Sequence, residues 1–333
     1  MSLRLIEIVL PTTTVHRMDS VLSSDTVLGR WDDTIDNDHS LIRMLVRTEQ
    51  SEGMLDHLAN QFSSSESFRV MLLPVEATLP RPPEPVAKDE AQTSESSTQR
   101  ISRDELYDDV VAGAKLSNVF IAQTLLATVV AAIGLLRNDT AIIIGAMVIA
   151  PLLGPNVSLC LATTLGDMDL AKRSLRTNGA GLLVTLLASL IIGFLFKVDP
   201  TSTAIAARTN VNLSDVILAT ASGCAGVLAF TTGAPASLIG VMVAVALLPP
   251  FTVFGLMLAG GELHAAGGAL MLLAMNVICV NLAGVFTFAV QGVRPRTWWE
   301  SERAKRAIRI SLATWVTLLT ILILLIYFVV QKP

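Results

Sequence analysis

The residues of this chain that are best suited to chemistry are prolines, glycines and neutral amides inside apolar segments. Residues 144–155 read IGAMVIAPLLGP and residues 239–250 read IGVMVAVALLPP, so seven of 12 positions are identical at a displacement of 95 residues. A proline in a helix lacks the N–H that would bond to the previous turn, so it leaves backbone groups free. In a membrane such groups are tolerated only where they are buried in protein or face a water-filled cavity. The doubled segment therefore predicts two broken helices whose backbone dipoles could coordinate a solute.

Twelve residues follow from this pattern as candidate site residues. Those predicted to line a substrate pathway at the breaks are Gly145, Pro151, Gly154, Pro155, Asn156, Gly240, Pro249, Pro250 and Asn276. Charged residues at the ends of apolar segments that could reach an aqueous vestibule are Asp139, Asp167 and Arg208. Neutral amides suit either interhelical hydrogen bonds or ligand coordination, and the prolines could also do no more than kink two well-packed helices. The residues alone leave these alternatives open.

The absence of ionisable side chains from the predicted spans limits the classes of function that can be expected. None of the predicted membrane spans contains Asp, Glu, Lys, Arg or His, so an ionisable relay of the kind that proton-coupled carriers use is not expected. The three cysteines lie in apolar runs without metal-ligand spacing and are interpreted as packed thiols. We therefore expect no catalytic residue, no metal and no cofactor, and we do not expect an enzyme.

Charge divides the chain into two parts. Residues 1–100 carry nine Lys or Arg against 16 Asp or Glu, whereas the remainder carries 15 against 12 and holds apolar runs long enough to cross a bilayer. The net charge of −4 gives no reason to expect nucleic acid as a partner. The order β-α-β-β-α-β, with strands at 2–10, 27–35, 41–46 and 68–75 and helices at 12–24 and 51–62, predicts a ferredoxin-like α+β domain.

This ferredoxin-like domain, at residues 1–79, is expected to be cytoplasmic. Such a domain could sense a small-ligand effector, contact other subunits or simply pack, and the fold does not select among these roles. Residues 80–100 are rich in Pro, Glu, Ser and Gln and are predicted to form a disordered linker. Ser102 and Glu105 form a capping-box pattern that opens an interfacial helix at 101–116.

Seven spans are predicted, at 118–136, 140–165, 178–196, 216–234, 236–258, 266–290 and 311–330. With the N-terminus inside, 12 Lys or Arg side chains from Arg100 onward fall on the cytoplasmic side and four on the other. This bias predicts a multi-pass protein of the inner membrane. The repeated segment is the middle span of two three-span units, so residues 117–310 are predicted to form a 3+3 inverted repeat. The uniform last span, within residues 311–333, is expected to be peripheral.

The motifs together resemble the bacterial and archaeal hydrophobic membrane proteins of domain of unknown function 389. The resemblance rests on IIIGAMVIAPLLGP at 142–155 after Asn138-Asp139, on the pair Arg208-Thr209, on LLPP at 247–250, and on Asn276 with the later GVRP at 292–295. It covers most of residues 102–296, and the N-terminal domain is similar to the soluble module that many members carry. The resemblance implies this architecture, but it implies no substrate and no catalytic residue.

Two functions are compatible with these features. The doubled break favours a small-solute or ion permease or channel with a midplane site, which the cytoplasmic domain could gate. The alternative is a membrane-anchored sensor or oligomeric scaffold without transport activity. In either case the expected partners are the lipid bilayer and further copies of the chain, together with a solute, ion or effector that the sequence does not identify.

Overall fold

Two compact units make up the chain, Met1–Leu106 and Tyr107–Pro333. The computed structural model describes residues 3–18, 27–62, 67–75, 78–79, 102–232, 236–293 and 298–330. It describes only the backbone of residues 17, 213, 236–246, 298–304, 325 and 327–330. The linker predicted at 80–100 lies outside the described residues.

An antiparallel sheet of four strands forms the centre of the N-terminal unit. The strands are β1 (Leu3–Pro11), β2 (Val27–Thr34), β3 (His39–Arg47) and β4 (Arg69–Val75), in the order β2-β3-β1-β4. Because β3 lies between β1 and β2, the sheet has the split order that the sequence predicts. Helix α1 (Thr48–Phe62) connects β3 to β4. The helix predicted at 12–24 is a short 3-10 helix at Thr12–Arg17, and residues 19–26 lie outside the described part.

Alternation along the strands places the core on one face of this sheet. Ile6, Ile8 and Leu10 of β1 are fully buried, and Ile42 and Met44 of β3 pack beside them under α1. Successive side chains of β1 and β3 point to opposite faces of the sheet, so the residues between these core positions lie on the other face, which mixes polar and apolar side chains.

Helix α2 (Arg103–Gly113) begins where the sequence predicts an interfacial helix. The hydroxyl oxygen of Ser102 accepts a hydrogen bond of 3.2 Å from the backbone N–H of Glu105, as the capping pattern requires. Within the N-terminal unit, the guanidinium of Arg4 donates two hydrogen bonds, of 3.1 and 3.2 Å, to the carboxylate of Glu105. Arg103 pairs with Asp56 at 2.9 Å.

The second unit is helical. Its helices along the described chain are α3 (Asn118–Leu136), α4 (Thr140–Ile149), α5 (Leu153–Leu165), α6 (Met168–Leu195), α7 (Thr203–Ala206), α8 (Leu213–Thr231), α9 (Ala236–Ala259), α10 (Leu263–Val290) and α11 (Trp298–Val330). Five helices are long and apolar enough to cross a membrane, in α3, α6, α8, α10 and α11, and the bent pair α4–α5 would make a sixth span. The remaining predicted span, at 236–258, falls on α9, whose residues 236–246 are described by backbone alone.

The helices of this unit form two halves, α3–α6 and α8–α10, whose boundaries recur at one fixed displacement in the sequence. Helices α3 and α8 begin at Asn118 and Leu213 and end at Leu136 and Thr231, so both ends are 95 residues apart. The same displacement separates both ends of α6 and α10.

The turns that precede α6 and α10 match as well. They contain Gly166 and Gly261, which adopt left-handed backbone conformations with φ of 74° and 79°. Glycine adopts this conformation without the strain that other residues meet. The sequence repeat is therefore also a repeat of secondary structure.

The second predicted break is wrong, because α9 continues through Pro249 and Pro250 as one helix. Displacement by 95 residues places Ala246 opposite Pro151, so the second copy keeps the N–H that the first copy lacks. Leu247 and Leu248, which precede the prolines, are almost fully buried. The proline pair of α9 thus interrupts the hydrogen bonds of the helix without ending it.

Helix α10 lies at the centre of the unit, where it packs against α5, α8, α9 and α11. Helix α6 packs against α3, α5 and α9. Helix α11 packs against α5 and α10, and its apolar stretch Lys305–Leu324 is largely exposed. The peripheral position of the last predicted span stays a prediction.

Candidate functional site

The first copy of the repeated segment is a break between two helices. Helix α4 ends at Ile149, Ala150 is extended with ψ of 121°, and α5 leaves at an angle of 54° to α4. A proline disfavours the helical conformation in the residue before it, which accounts for the backbone of Ala150 ahead of Pro151. Pro155 lies in the first turn of α5, where its missing N–H has no partner to lose. The two prolines therefore act differently, since one ends α4 and the other starts α5.

The end of α2 covers one side of this break through two glycines. A methyl group on Gly154 would lie 2.8 Å from the carbonyl oxygen of Gly113, and one on Gly113 would lie 3.1 Å from the Cα of Gly154. Only a residue without a side chain fits at such a distance. The break is thus held against the backbone of α2.

A cavity of about 610 Å³ opens at the break. We refer to it as the break cavity. Its walls come from α2, the start of α3, the end of α4, the start of α5 and the end of α8. The lining residues are Asp109, Ala112, Gly113, Lys115, Ser117, Val119, Phe120, Gln123, Val148, Ile149, Ala150, Pro151, Leu153, Gly154 and Phe230.

Three exposed polar side chains in the break cavity have no partner among the described residues. Asp109, Lys115 and Gln123 make no side-chain hydrogen bond and no ion pair with any described residue. Partial burial, and after it the neighbouring carboxylate of Asp108, raises the pKa of Asp109. The cavity therefore offers a carboxylate, an ammonium and an amide that are free to contact a ligand.

The break cavity lies toward one end of the helical unit. Gln123 is five residues from the start of α3, which is about 8 Å along a helix that is about 28 Å long. The N-terminal ends of α3 and α5 and the C-terminal end of α4 therefore meet near this level. A midplane site is expected from the sequence, but the cavity begins beside α2 and reaches only part of the way along α3.

Comparison with known proteins gives two matches. The model of the family described as Domain of unknown function (DUF389) matches residues 147–282. A protein of Methanocaldococcus jannaschii with the name Uncharacterized protein MJ0678 is 32% identical over 329 residues, which are 98% of this chain and 100% of that protein. The chain belongs to the DUF389 family. No solved structure matches it.

The DUF389 segment contains most of the predicted pathway residues, but only two of them line the break cavity. These are Pro151 and Gly154. Gly145 of α4 faces open space, since a methyl group there would meet nothing within 4 Å. Pro155 is buried in the first turn of α5. Gly240 lies in the part of α9 that is described by backbone alone.

The two predicted amides and the prolines of α9 are buried where helices pack against one another. The amide of Asn156 donates to the carbonyl oxygen of Leu152 at 2.8 Å and to the side-chain oxygen of Asn178 at 3.0 Å, so it joins α5 to α6. Asn276 is buried in α10. Pro249 and Pro250 are buried in α9. None of these four residues lines the break cavity.

The two predicted vestibule acids are helix caps. The carboxylate of Asp139 accepts hydrogen bonds from the backbone N–H groups of Ala141 and Ile142, at the start of α4. Asp167 accepts two such bonds at the start of α6 and a third, of 2.8 Å, from the hydroxyl of Tyr107. Burial, together with this hydrogen bond, raises the pKa of Tyr107 to about 12. Neither acid lines the break cavity.

Arg208, the third predicted vestibule residue, lies after α7 and away from the break cavity. Its guanidinium donates to the carbonyl oxygen of Ala204 at 2.5 Å. Burial lowers the pKa of Arg208. In the described residues, no group of three His, Cys, Asp or Glu side chains is arranged to hold a metal ion.

Sequence reasoning missed the polar lining of the break cavity. Asp109 and Lys115 belong to the segment that the sequence predicts to be an interfacial helix, and nothing in their spacing points to the later break. Gln123 is different, because an amide only five residues into an apolar span is unusual. That isolated amide was the available signal for a polar cavity beside α3.

Proposed function

We propose that this DUF389-family protein is a small-solute or ion permease or channel whose pathway passes the break between α4 and α5. The observation that carries the proposal is the break cavity, which is lined by three exposed polar side chains without a partner among the described residues. Of the three, Gln123 lies in the first apolar span, where a polar group is costly unless it faces water or a ligand. A permeation pathway needs such a cavity, whereas a helical anchor does not.

Reciprocal contacts between the halves support an inverted repeat as the frame of this pathway. Cys160 of α5 packs against Gly284 of α10, and Gly255 of α9 packs against Ser189 of α6. Cys160 and Gly255 are 95 residues apart, as are Ser189 and Gly284. Each contact is therefore the other contact with the halves exchanged, which is the pattern that a two-fold axis produces. An axis in the membrane plane would invert one half relative to the other, as in many transporters.

The proposed orientation places the N-terminus and the α2 side of the break cavity in the cytoplasm, in the inner membrane. It rests on the 12 Lys and Arg side chains from Arg100 onward that this topology collects inside, against four outside. In the same proposal the N-terminal unit regulates permeation by binding a small-ligand effector, and the protein assembles as a homo-oligomer.

A membrane-anchored sensor or oligomeric scaffold is the second candidate. It is favoured by apolar side chains on the sheet face that points away from α1, where Trp31 and Met71 expose 54% and 44% of their surface. Exposed apolar groups on one face are typical of a surface that a partner covers. A scaffold would not need the unpartnered groups of the break cavity, however.

Flux through proteoliposomes tests the permease. The probes are potassium chloride, urea, glycerol and glycine, each followed by stopped-flow light scattering after an osmotic step. We expect the wild type to pass at least one probe faster than protein-free liposomes, and Pro151→Ala to lower this flux at least fivefold. Alanine restores an N–H to the turn and frees Ala150 to become helical, so that α4 can straighten.

The control is Gly179→Ala, because a methyl group at this exposed position of α6 meets nothing within 4 Å. Its flux should equal that of the wild type. Flux no faster than that of empty liposomes for all four probes, or an unchanged flux in folded Pro151→Ala, contradicts the permease and favours the scaffold.

A further inference from the structure

We propose that the break cavity binds a zwitterionic group, one that carries an ammonium and an acidic group together. This inference rests on the proposed function, because it names the class of solute for the same cavity. Its basis is the pair Asp109 and Lys115, which line one cavity with opposite charges. Neither of them forms an ion pair with the other or with another described residue.

A ligand of a single charge fits this lining poorly. A cation would gain from Asp109 but would be repelled by Lys115, and an anion would meet the reverse. Asp109 and Lys115 are both exposed, so each is solvated until a group of opposite charge takes the place of that water. A zwitterion supplies one partner for each side chain at once, and Gln123 can add a hydrogen bond as either donor or acceptor.

The helix ends at the break carry the same pair of signs. Ile149 and Ala150, at the C-terminal end of α4, and Leu153 and Gly154, at the N-terminal end of α5, all line the cavity. A C-terminus carries partial negative charge and an N-terminus partial positive charge. Because Pro151 has no N–H, the carbonyl of Met147 four residues earlier lacks its helical donor. The backbone therefore offers a zwitterion a second place for each charge.

An environment of this kind is also consistent with the raised pKa of Asp109. Partial desolvation of this exposed side chain disfavours its charged form, and the neighbouring Asp108 adds to the effect. An ammonium group bound beside Asp109 would offset both contributions. Both carboxylates are exposed, but only Asp109 lines the cavity, so we expect Asp109 to matter more for binding than Asp108.

The apolar wall allows two sources for the zwitterion. Phe120 and Phe230 line the cavity and could contact an apolar substituent of a free amino acid. Val119 and Val148 also line it and are 64% and 47% exposed, so the cavity borders the apolar outer surface of the helices. A zwitterionic phospholipid headgroup could enter from that side.

The test measures binding to the purified full chain in detergent from saturable shifts of its thermal unfolding midpoint. The free-solute probes are L-leucine, isoamylamine, which lacks the carboxylate, and 4-methylpentanoate, which lacks the amine. The lipid probes are dihexanoyl phosphatidylethanolamine and the anionic dihexanoyl phosphatidylglycerol. We expect at least one zwitterion to bind at least tenfold more tightly than its single-charge analogues. L-leucine alone identifies a free solute, and phosphatidylethanolamine alone identifies a headgroup.

Matched variants assign the binding to this cavity. Asp109→Asn and Lys115→Gln should each weaken the zwitterion at least fivefold, while Asp108→Asn, which removes the same charge one residue away, should leave it unchanged. No shift with either zwitterion, equal shifts with a single-charge analogue, or equal effects of Asp108→Asn and Asp109→Asn would overturn the inference. If the wild type passes a probe in proteoliposomes but binds neither zwitterion, this inference is overturned and the permease is not. If it binds a zwitterion but passes no probe, the permease is overturned and the zwitterion site is not.

Discussion

Gly145 and Gly154 occupy the same repeated segment, yet their surroundings differ completely. A methyl group on Gly154 would lie 2.8 Å from the carbonyl oxygen of Gly113, whereas one on Gly145 would meet nothing within 4 Å. The sequence marks both glycines as candidates for the site. Only contacts with another helix separate the glycine that the fold requires from the one that it tolerates.

We expect Gly154→Ala to lower the free energy of unfolding by about 1–3 kcal/mol, because the methyl group pushes α2 away from α5. Gly145→Ala should be neutral or stabilise by up to about 1 kcal/mol, because alanine favours a helix over glycine. Thermal unfolding of both variants in detergent gives the comparison. Equal midpoints for the two variants would show that α2 does not pack on the break.

The polar lining of the break cavity shows the limit of sequence reasoning at the residue scale. Pro151 and Gly154 could be predicted, since proline and glycine in an apolar run are local signals of a break. Asp109 and Lys115 could not, because they reach the cavity only through the packing of α2 against α5. A charge in a surface helix gives no local sign of the helix that it will face.

At the scale of elements, Asp139 and Asp167 fix the starts of α4 and α6. Each carboxylate accepts two backbone N–H groups of its helix, and Asp167 alone also accepts the hydroxyl of Tyr107. The sequence places both at the ends of apolar segments, and each lies directly before a helix. It interprets them as vestibule acids, but free N–H groups at a helix start already account for them.

We expect Asp139→Ala to cost about 1 kcal/mol of unfolding free energy, which is the usual value of a cap. Asp167→Ala should cost about 2 kcal/mol, because it also removes the bond from Tyr107. Chemical unfolding of both variants, and of Tyr107→Phe with and without Asp167→Ala, measures the difference. In the Tyr107→Phe background, Asp167→Ala should lower the unfolding free energy by no more than Asp139→Ala does in the wild type. If the losses from Asp167→Ala and Tyr107→Phe simply add in the double variant, the hydrogen bond between them contributes nothing, which contradicts this explanation.

The two copies of the repeated segment show why a pattern of residues predicts one break correctly and the other wrongly. Seven identical positions suggested equal structures, but the position that ends α4 is Pro151 in one copy and Ala246 in the other. An adjacent pair of prolines removes donors from neighbouring positions of one helix. Prolines four residues apart instead allow one helix to end and a second to start. Spacing, rather than the number of prolines, decides the outcome.

At the scale of the molecule, the two halves of the helical unit have the same helix boundaries at a fixed displacement. The ends of α3 and α8, the ends of α6 and α10, and the left-handed glycines Gly166 and Gly261 all recur after 95 residues. Sequence identity over 12 positions was enough to predict the repeat. The second half is inverted in the membrane only if each half crosses it an odd number of times. This inversion is the central claim of the proposed architecture.

Labelling from one side of the membrane tests that claim most directly. Lys172 and Gly267 are the fifth residues of α6 and α10, and both are exposed. Each would be changed to cysteine in a chain whose native cysteines are alanine, and intact and permeabilised cells would be treated with a membrane-impermeant maleimide. The inverted repeat predicts that Gly267→Cys is labelled in intact cells and Lys172→Cys only after permeabilisation. Labelling of both from the same side would contradict it.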